Sequence, residues 1–511
     1  MKLTHDAELK TTLAKGSEFQ STHPRLNRYA VLSASSFIHK YWLKLAAISA
    51  IVLVPCLWHR RILASDLGSH LYNAWLAQLV RHGQVPGLWL AGQWTNVLFD
   101  LLLSGFGSIL GFSMAEKIAV SLAILIFFWG LFAFVCAAAQ RAPWFLLPCI
   151  ALVTYSWTFY MGFFNYYLSI GLSFWGLAIF WRGQAWERLI VIPIALLVMF
   201  AHPFGLIWLM GACAYLGLAE TLPRRYQFVW FLAAVAAVVS IHYLFWRHYI
   251  VEAEPGPLYW FTGADQLVLF GARYRIPERA LIIFAIVALA ADAIRRRHER
   301  KPWTAYSLPM QLYGVTELSV FLFPRGVHFP HHVAIALITE RLTMISAAVG
   351  CCLLGVMRPS KWHLAGSLVV AAIFFSFLYQ DTAVINKMEQ QAEKLVHTLP
   401  PDQRVMGTIL PLQGSRILIQ HMIDRACIGY CFSYGNYEPG SAVFRVRAGP
   451  NNPYVLDDYQ LAVDTEQGTY VVQPEDLPVY QIYQCSSTGT DLCISSLHAG
   501  ERNNHLGVYP K

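Results

Sequence analysis

Asp66 and His70 stand four positions apart in "ASDLGSHLYNAWLAQLVRHGQVP" (64–86), directly after the first long apolar run of the chain. At that spacing a carboxylate and an imidazole fall on the same face of a helix, one turn apart. They can then share or orient a proton, which is the chemistry of a general base and its partner. The plainer reading gives Ser65 or Asp66 a helix-capping role and makes His70 a histidine of the membrane interface. The spacing alone does not separate the two.

Composition defines the setting of this pair. The chain has 511 residues, of which 56% are hydrophobic and only 13% charged, with a mean hydropathy of +0.44. Soluble domains carry about a quarter charged residues, so the composition predicts a polytopic membrane protein. The first forty residues are polar and basic and lack the apolar core and small-residue cleavage site of a signal peptide. Apolar segments near 41–58, 115–139, 143–160, 166–182, 188–202, 204–220, 227–247, 280–294, 304–323, 335–357 and 362–380 are expected to span. Most approach the roughly 20 residues needed to cross a bilayer. The short, glycine-containing run "NVLFDLLLSGFGSILGF" (96–112) is expected to be re-entrant or interfacial.

Basic residues set the orientation. Lys2, Lys10, Lys15, Arg25, Arg28, Lys40 and Lys44 place the N-terminal tail (1–40) in the cytoplasm. Arg141, Arg182 with Arg188, Arg224 with Arg225, "RRRHERK" (295–301) and Arg358 with Lys361 all fall on that side if 96–112 does not cross. The pattern predicts about eleven crossings of the lipid bilayer, N-terminus in and C-terminus out, with 59–96 as the first external loop. It also explains the net charge of +8, so no nucleic-acid partner is inferred.

The fold class expected is therefore mainly α, with a membrane domain over 41–383. From 384 to 511 the long apolar runs stop and acidic residues outnumber basic ones. Turn residues there alternate with short β-branched and aromatic runs, predicting a small α+β extracytoplasmic domain. "INKMEQQAEKLVHTL" (385–399) reads as a helix leaving the membrane. Four cysteines, Cys427, Cys431, Cys485 and Cys493, lie in this region. An even number in an oxidising compartment suggests disulfides. Three pairings are open, and the local one, Cys427–Cys431 with Cys485–Cys493, is favoured. Zinc is the rival reading, but the second pair lacks the matching ligand spacing.

Residues 66–82 fit one amphipathic helix. At about 100° per residue, Asp66, Ser69, His70, Asn73, Ala77 and Arg81 form one stripe and Leu67, Leu71, Trp75 and Leu79 the other. Such a helix is expected in the interface plane, apolar side toward lipid or protein, polar side toward the outer surface. Asn165, His202, Glu252, Glu254, Asp265, Arg273, Arg275, Arg325, His328, His331, His332, Glu340 and Arg341 all fall at outer helix ends or in outer loops on this topology. Each has a structural explanation of its own: a kink partner for His202, a cap for Asn165, an ion pair for Glu340 and Arg341. Their gathering on one face predicts a polar cavity there.

"SDLGSHLYNAWLAQLVRHGQVPGLW" resembles the first-loop pattern of the C-type (GT-C) superfamily of polytopic membrane glycosyltransferases: Asp, then His, then a helix, then Gly–x–x–Pro and Trp. "FFNYYLSIGLSFWGLAIFWR" and "AHPFGLIWLM" are similar to its middle spans. The resemblance covers roughly residues 40–380 as architecture, with loose motifs. Members often carry paired acidic residues in the loop, whereas Leu67 follows Asp66 here. The resemblance implies transfer of a sugar from a polyprenyl-phosphate donor to a glycan, lipid or protein acceptor on the outer face. Asp66 would be the catalytic carboxylate, with His70 as its partner. Arg273, Arg325, His331 and Arg341 would be candidates to hold the donor phosphate. The stretch "CFSYGNYEPGSAVFRVRAGPNN" is first a hairpin of a β-rich core; the sharper reading has Tyr434, Asn436, Tyr437, Arg445 and Arg447 hold an acceptor, since aromatic faces stack on sugar rings. No particular cofactor is implied, and a divalent metal is an option. The alternative class, a transporter or flippase, would carry ionisable residues at mid-bilayer and an internal repeat. A non-catalytic scaffold with the same fold is the third reading.

Overall fold

The structure, a computed structural model, describes residues 34–253, 262–329, 335–450, 452–486 and 489–503. His331, His332 and Glu254 lie outside the described residues, as does most of the basic N-terminal tail. The chain divides into two compact units, residues 1–52 and 53–511. In the first, the described part is a single helix, Ala34–Val52.

The second unit is mainly helical, and helices occupy each of its apolar segments. Five are long and apolar enough to cross a membrane: Phe112–Ala139, Pro203–Thr221, Arg224–His248, Ile338–Val356 and Lys361–Val396. Outward apolar side chains such as Leu196, Ile207, Phe228, Val239, Ile283 and Ile286 are exposed. An apolar surface of that extent needs a non-aqueous neighbour. The Phe112–Ala139 helix lies at the centre, packed on Leu98–Leu110, Phe164–Arg182 and Ile338–Val356. Leu98–Leu110 has 13 residues, about 20 Å of helix, which is too short to cross a bilayer core of about 30 Å.

Two local breaks have identifiable positions in the sequence. Val191–Ala201 and Pro203–Thr221 meet at His202, whose backbone is extended. Pro203 cannot continue the first helix, because it lacks an N–H and its ring clashes with the preceding turn. The His202 ring accepts a hydrogen bond from the Phe204 amide, so it caps the second helix rather than satisfying a freed carbonyl. The 144–160 segment is likewise broken, into Leu147–Thr154 and Trp157–Tyr160. By contrast, the last span runs on without a break. Lys361–Val396 is one helix of 36 residues, so the helix read at 385–399 is the continuation of the preceding span and ends at Val396.

Two short strand pairings tie distant segments together: β1 (Leu88–Leu90) with β6 (Val446–Ala448), and β2 (Ile250–Glu252) with β3 (Gly326–His328). The polar C-terminal part also holds a four-stranded sheet. Its strands are β4 (Arg404–Thr408), β5 (Phe432–Ser433), β7 (Val479–Gln484) and β8 (Leu492–Leu497), in the order β5-β4-β7-β8. β4 runs parallel to β5 and β7, and β7–β8 is antiparallel. Met406, Tyr434, Leu456, Tyr470, Val472, Val479 and Leu497 form its core. Cys427 is bonded to Cys431 and Cys485 to Cys493.

The Leu67–Arg81 helix differs from the expectation of an interfacial helix with an open polar face. Leu67 and Leu71 are buried on one side and Ser69, His70 and Asn73 on the other. The C-terminal region accounts for this. β1–β6 pairing draws the 436–448 segment over the helix, and its polar side chains replace solvent along the stripe.

Candidate functional site

Asp66 sits at the N-cap position of the Leu67–Arg81 helix, with φ −76° and ψ −5°. An N-cap carboxylate normally has a β-region backbone and accepts from the first free amides. Asp66 makes no such bond, so the capping explanation does not account for it. Its backbone is pinned instead: the Ser65 amide donates to the Tyr160 carbonyl at 2.8 Å and the Asp66 amide to that of Met161 at 3.2 Å. Gly162, at φ +81°, permits this approach, because a Cβ there would lie 2.6 Å from the Asp66 nitrogen.

Two imidazole–carboxylate pairs flank Asp66. His70 Nδ1 is 2.7 Å from Asp100 Oδ1. Asn165 donates to the other Asp100 oxygen at 2.8 Å while its own oxygen accepts from the Phe99 amide at 2.8 Å. The ring is thus held by a carboxylate that is itself held. Burial pulls the His70 imidazole down, but Asp100, together with Glu438 and Asp66, outweighs it and lifts the group to about 9. The second pair comes from the C-terminal region. His421 Nδ1 is 3.1 Å from Asp424 Oδ2, and its Nε2 is 3.8 Å from Asp66 Oδ1. Here too burial is overcome, by Asp424, Glu466 and Asp66, and His421 is lifted to about 10. The carboxylates around each ring thus favour its protonated form. Burial pushes the Asp66 carboxyl above its ordinary value, while His421, His70 and Arg341 pull it back. Burial makes this carboxylate a stronger base than an exposed one, while the neighbouring cations favour its ionised form.

The partner assignment thus differs from the sequence reading, in which His70 orients Asp66. His70 is committed to Asp100, and His421 carries the imidazole edge that faces Asp66. His421, Asp424, Asp100, Glu438 and Glu466 were not singled out in the sequence. Two signals could have raised some of them. Asp100 is a lone carboxylate in an apolar run, and "HMID" places His421 and Asp424 three apart.

The cationic candidates separate. Arg325 Nε binds Glu340 Oε1 at 3.0 Å, and Arg273 binds Asp381 at 2.6 Å. Arg341 has no carboxylate partner among the described residues. Its guanidinium lies over the rings of Phe163 (4.9 Å) and Tyr166 (5.6 Å), with Nε buried and without a hydrogen bond.

The aromatic stretch also divides. Tyr434 points into the sheet core and donates to Asp476 at 2.6 Å. Asn436 exchanges hydrogen bonds with Asn73, at 2.9 and 3.2 Å. The Tyr437 ring packs 5.2 Å from that of His421. Arg445 reaches Ser104, and Arg447 lies opposite Trp89 in the β1–β6 pair. Ser69 donates to Glu438 at 3.0 Å.

A further buried ion network braces the site. Arg425 binds Glu389 at 3.1 Å and the Ile62 carbonyl at 3.1 Å, and lies 3.7 Å from Glu116. It joins the C-terminal region to three earlier segments, one of them just ahead of Asp66.

Among the described residues, no three His, Cys, Asp or Glu side chains are grouped so as to hold a metal ion. The acidic groups around Asp66 are instead engaged by the two imidazoles, a donor set that does not fit a divalent cation. No protein-family profile, curated protein or solved structure matches the chain.

Proposed function

We propose that the protein is an integral membrane glycosyltransferase that moves a sugar from a polyprenyl-phosphate donor to an acceptor hydroxyl, with Asp66 as the base. The observation that carries this reading is the Asp66 environment: a carboxylate free of capping duty, beside His421, with the Arg341 guanidinium acting on it. Asp66 takes the proton of the acceptor hydroxyl as its oxygen bonds to the anomeric carbon. The bond from that carbon to the phosphate oxygen breaks, and the phosphate leaves with the electron pair. Arg341 is the guanidinium available to hold that phosphate.

The same reading keeps about eleven crossings, with the C-terminal region outside. Two groupings support it. Basic residues meet at one set of helix ends, where Arg141 bonds to Gly355 and Met357, Arg296 to Val356, and Arg358 to Glu299. Ile338–Val356, and Phe164–Arg182 whose Arg182 bonds to the Ala137 carbonyl, carry Arg341 and Asn165 at their other ends.

Mass spectrometry of cell-envelope glycans tests the reading. Removing the protein is expected to remove one sugar from a glycan. Wild-type protein restores it, and Asp66→Asn restores about 10²–10⁴-fold less per unit time. Because burial disfavours the Asp66 charge, the neutral isostere is expected to fold at least as well as wild type. Full restoration by Asp66→Asn would refute the assignment.

A further inference from the structure

The β1–β6 pair carries two arginines without a carboxylate partner among the described residues. In an antiparallel pair, residues directly opposite share a face, as do residues two apart on one strand. Arg447 lies opposite Trp89, and Arg445 stands two positions before it, so the three side chains share one face. Val446, between the arginines, is buried on the other. Both arginines are half-exposed, and each has one guanidinium nitrogen without a hydrogen bond. Burial works against both charges, and Arg81 adds repulsion at Arg445. Asp100 offsets part of that, but it is already bound by His70 and Asn165. A concentration of like charge short of counter-charge attracts an anion.

Next to this face lies an uncovered apolar stripe. Arg445 reaches Ser104 Oγ at 3.4 Å, on the Leu98–Leu110 helix. Beside Ser104, Leu101, Gly105, Ser108 and Ile109 are all exposed and spaced to share one side of that helix. Trp89 and Trp94 are exposed as well. The helix is too short to cross a bilayer, so its apolar stripe meets lipid at the interface, the level at which indole rings collect.

We infer that this surface binds an anionic phospholipid, with Arg445 and Arg447 on its phosphate and its acyl chains along the Leu101–Ile109 stripe. The two halves together select the occupant. A free phosphate would engage the arginines and leave the stripe uncovered, whereas a neutral lipid would cover the stripe and leave the arginines without an anion. A phosphodiester on two chains satisfies both, and guanidinium groups match its oxygens. The site is separate from Arg341, whose guanidinium lies over Phe163 and Tyr166, and it is independent of the transferase reading.

Native mass spectrometry of the full chain released from detergent micelles tests this, with phosphatidylglycerol and phosphatidylcholine as probes and inorganic phosphate as competitor. Wild type is expected to retain phosphatidylglycerol at least about tenfold more tightly than phosphatidylcholine. Arg445→Gln combined with Arg447→Gln is expected to lose that preference. Arg447→Gln alone is expected to lose part of it at an unchanged thermal midpoint, which separates binding from folding. Ile109→Gln is expected to weaken both lipids, because it meets only the chains. Lys387→Gln with Lys394→Gln removes two exposed charges from the Lys361–Val396 helix and is expected to bind as wild type does. Equal losses in the arginine and lysine double variants would reduce the effect to net charge and overturn the inference. Displacement of the lipid by inorganic phosphate at equal concentration would overturn it in favour of a free-phosphate site. A dimer that the arginine double variant converts to monomer would overturn it by assigning the face to a second copy of the chain.

Discussion

His421 Nε2 stands 3.8 Å from Asp66 Oδ1, while Asp424 holds the other ring nitrogen at 3.1 Å. One imidazolium therefore faces two carboxylates drawn from opposite ends of the chain. In the transferase reading His421 is a positioning residue that keeps Asp66 ionised against its burial. His421→Asn removes that charge, so the Asp66 carboxyl should rise further. The acid limb of the rate–pH profile is expected to move to higher pH, with a smaller loss at the alkaline end of that limb. A uniform fall in rate with no movement of the limb would assign His421 to structure alone.

Stability should depend on the same histidines in the alkaline range. The His70 imidazole lies at about 9 and that of His421 at about 10, both above the ordinary value of about 6.5. A group raised on folding adds stability that is complete below its unfolded value and lost as pH climbs through its folded value. The thermal midpoint in detergent is therefore expected to fall between about pH 7 and 10. Replacing both histidines by Gln should lower the midpoint at neutral pH and flatten that slope. An unchanged slope would mean that neither ring is protonated in the folded protein.

The three candidate arginines should behave differently. Arg341 has no carboxylate partner among the described residues, whereas Arg273 is half-exposed and bound to Asp381. Losing a charge-assisted contact to phosphate costs about 1.5–3 kcal/mol. Arg341→Gln is expected to raise the KM for the polyprenyl-phosphate donor at least tenfold, and Arg273→Gln to leave it within about twofold. Equal effects would remove Arg341 as the phosphate group.

How much of this was legible in the sequence differs by element. Helices were legible wherever an apolar run approached membrane length, because length and composition dictate them locally. The polar stripe of Ser69, His70 and Asn73 was legible too, since it depends only on helical spacing. The segments that cover that stripe were not. His421, Asn436 and Glu438 reach it through the tertiary fold, and nothing periodic in the sequence connects 66–73 with 421–438. Asp100 was hidden for a different reason: it lies in a segment whose apolar character dominated its reading. The long Lys361–Val396 helix shows that a change in composition need not break an element. A change in composition near 384 suggested a boundary, but Ala, Lys, Glu, Gln and Met favour helix as strongly as the apolar residues before them.

Arg425 should be the most costly single loss outside the cluster. It is 3% exposed, and its partners Glu389 and Glu116 are 6% and 3% exposed. Removing one partner of a buried ion pair leaves an uncompensated charge, typically at a cost of about 3–5 kcal/mol. Arg425→Met is expected to lower the folded yield and thermal midpoint sharply. Adding Glu389→Gln and Glu116→Gln should recover part of the loss, because the stranded charges disappear. Failure of the triple variant to improve on the single one would mean that Arg425 acts through its bonds to the Ile62 carbonyl instead.

Gly68 offers a test of how closely the two parts of the site must meet. A Cβ at Gly68 would lie 2.1 Å from the His421 carbonyl oxygen and 3.0 Å from its carbon. Both are backbone atoms, so no flexible side chain can swing aside. In an open helix, Gly→Ala stabilises by about 0.8–1 kcal/mol. At Gly68 the overlap reverses that sign, and overpacking of this kind costs about 1–3 kcal/mol. Gly105, in the Leu98–Leu110 helix, supplies the control, since a Cβ there meets nothing within 4 Å. Gly105→Ala is expected to raise the thermal midpoint slightly. Gly68→Ala is expected to lower it and, by pushing His421 away from Asp66, to lower transfer more than stability alone explains. Equal, favourable effects of the two substitutions would show that the Leu67–Arg81 helix and the His421 backbone do not approach each other this closely.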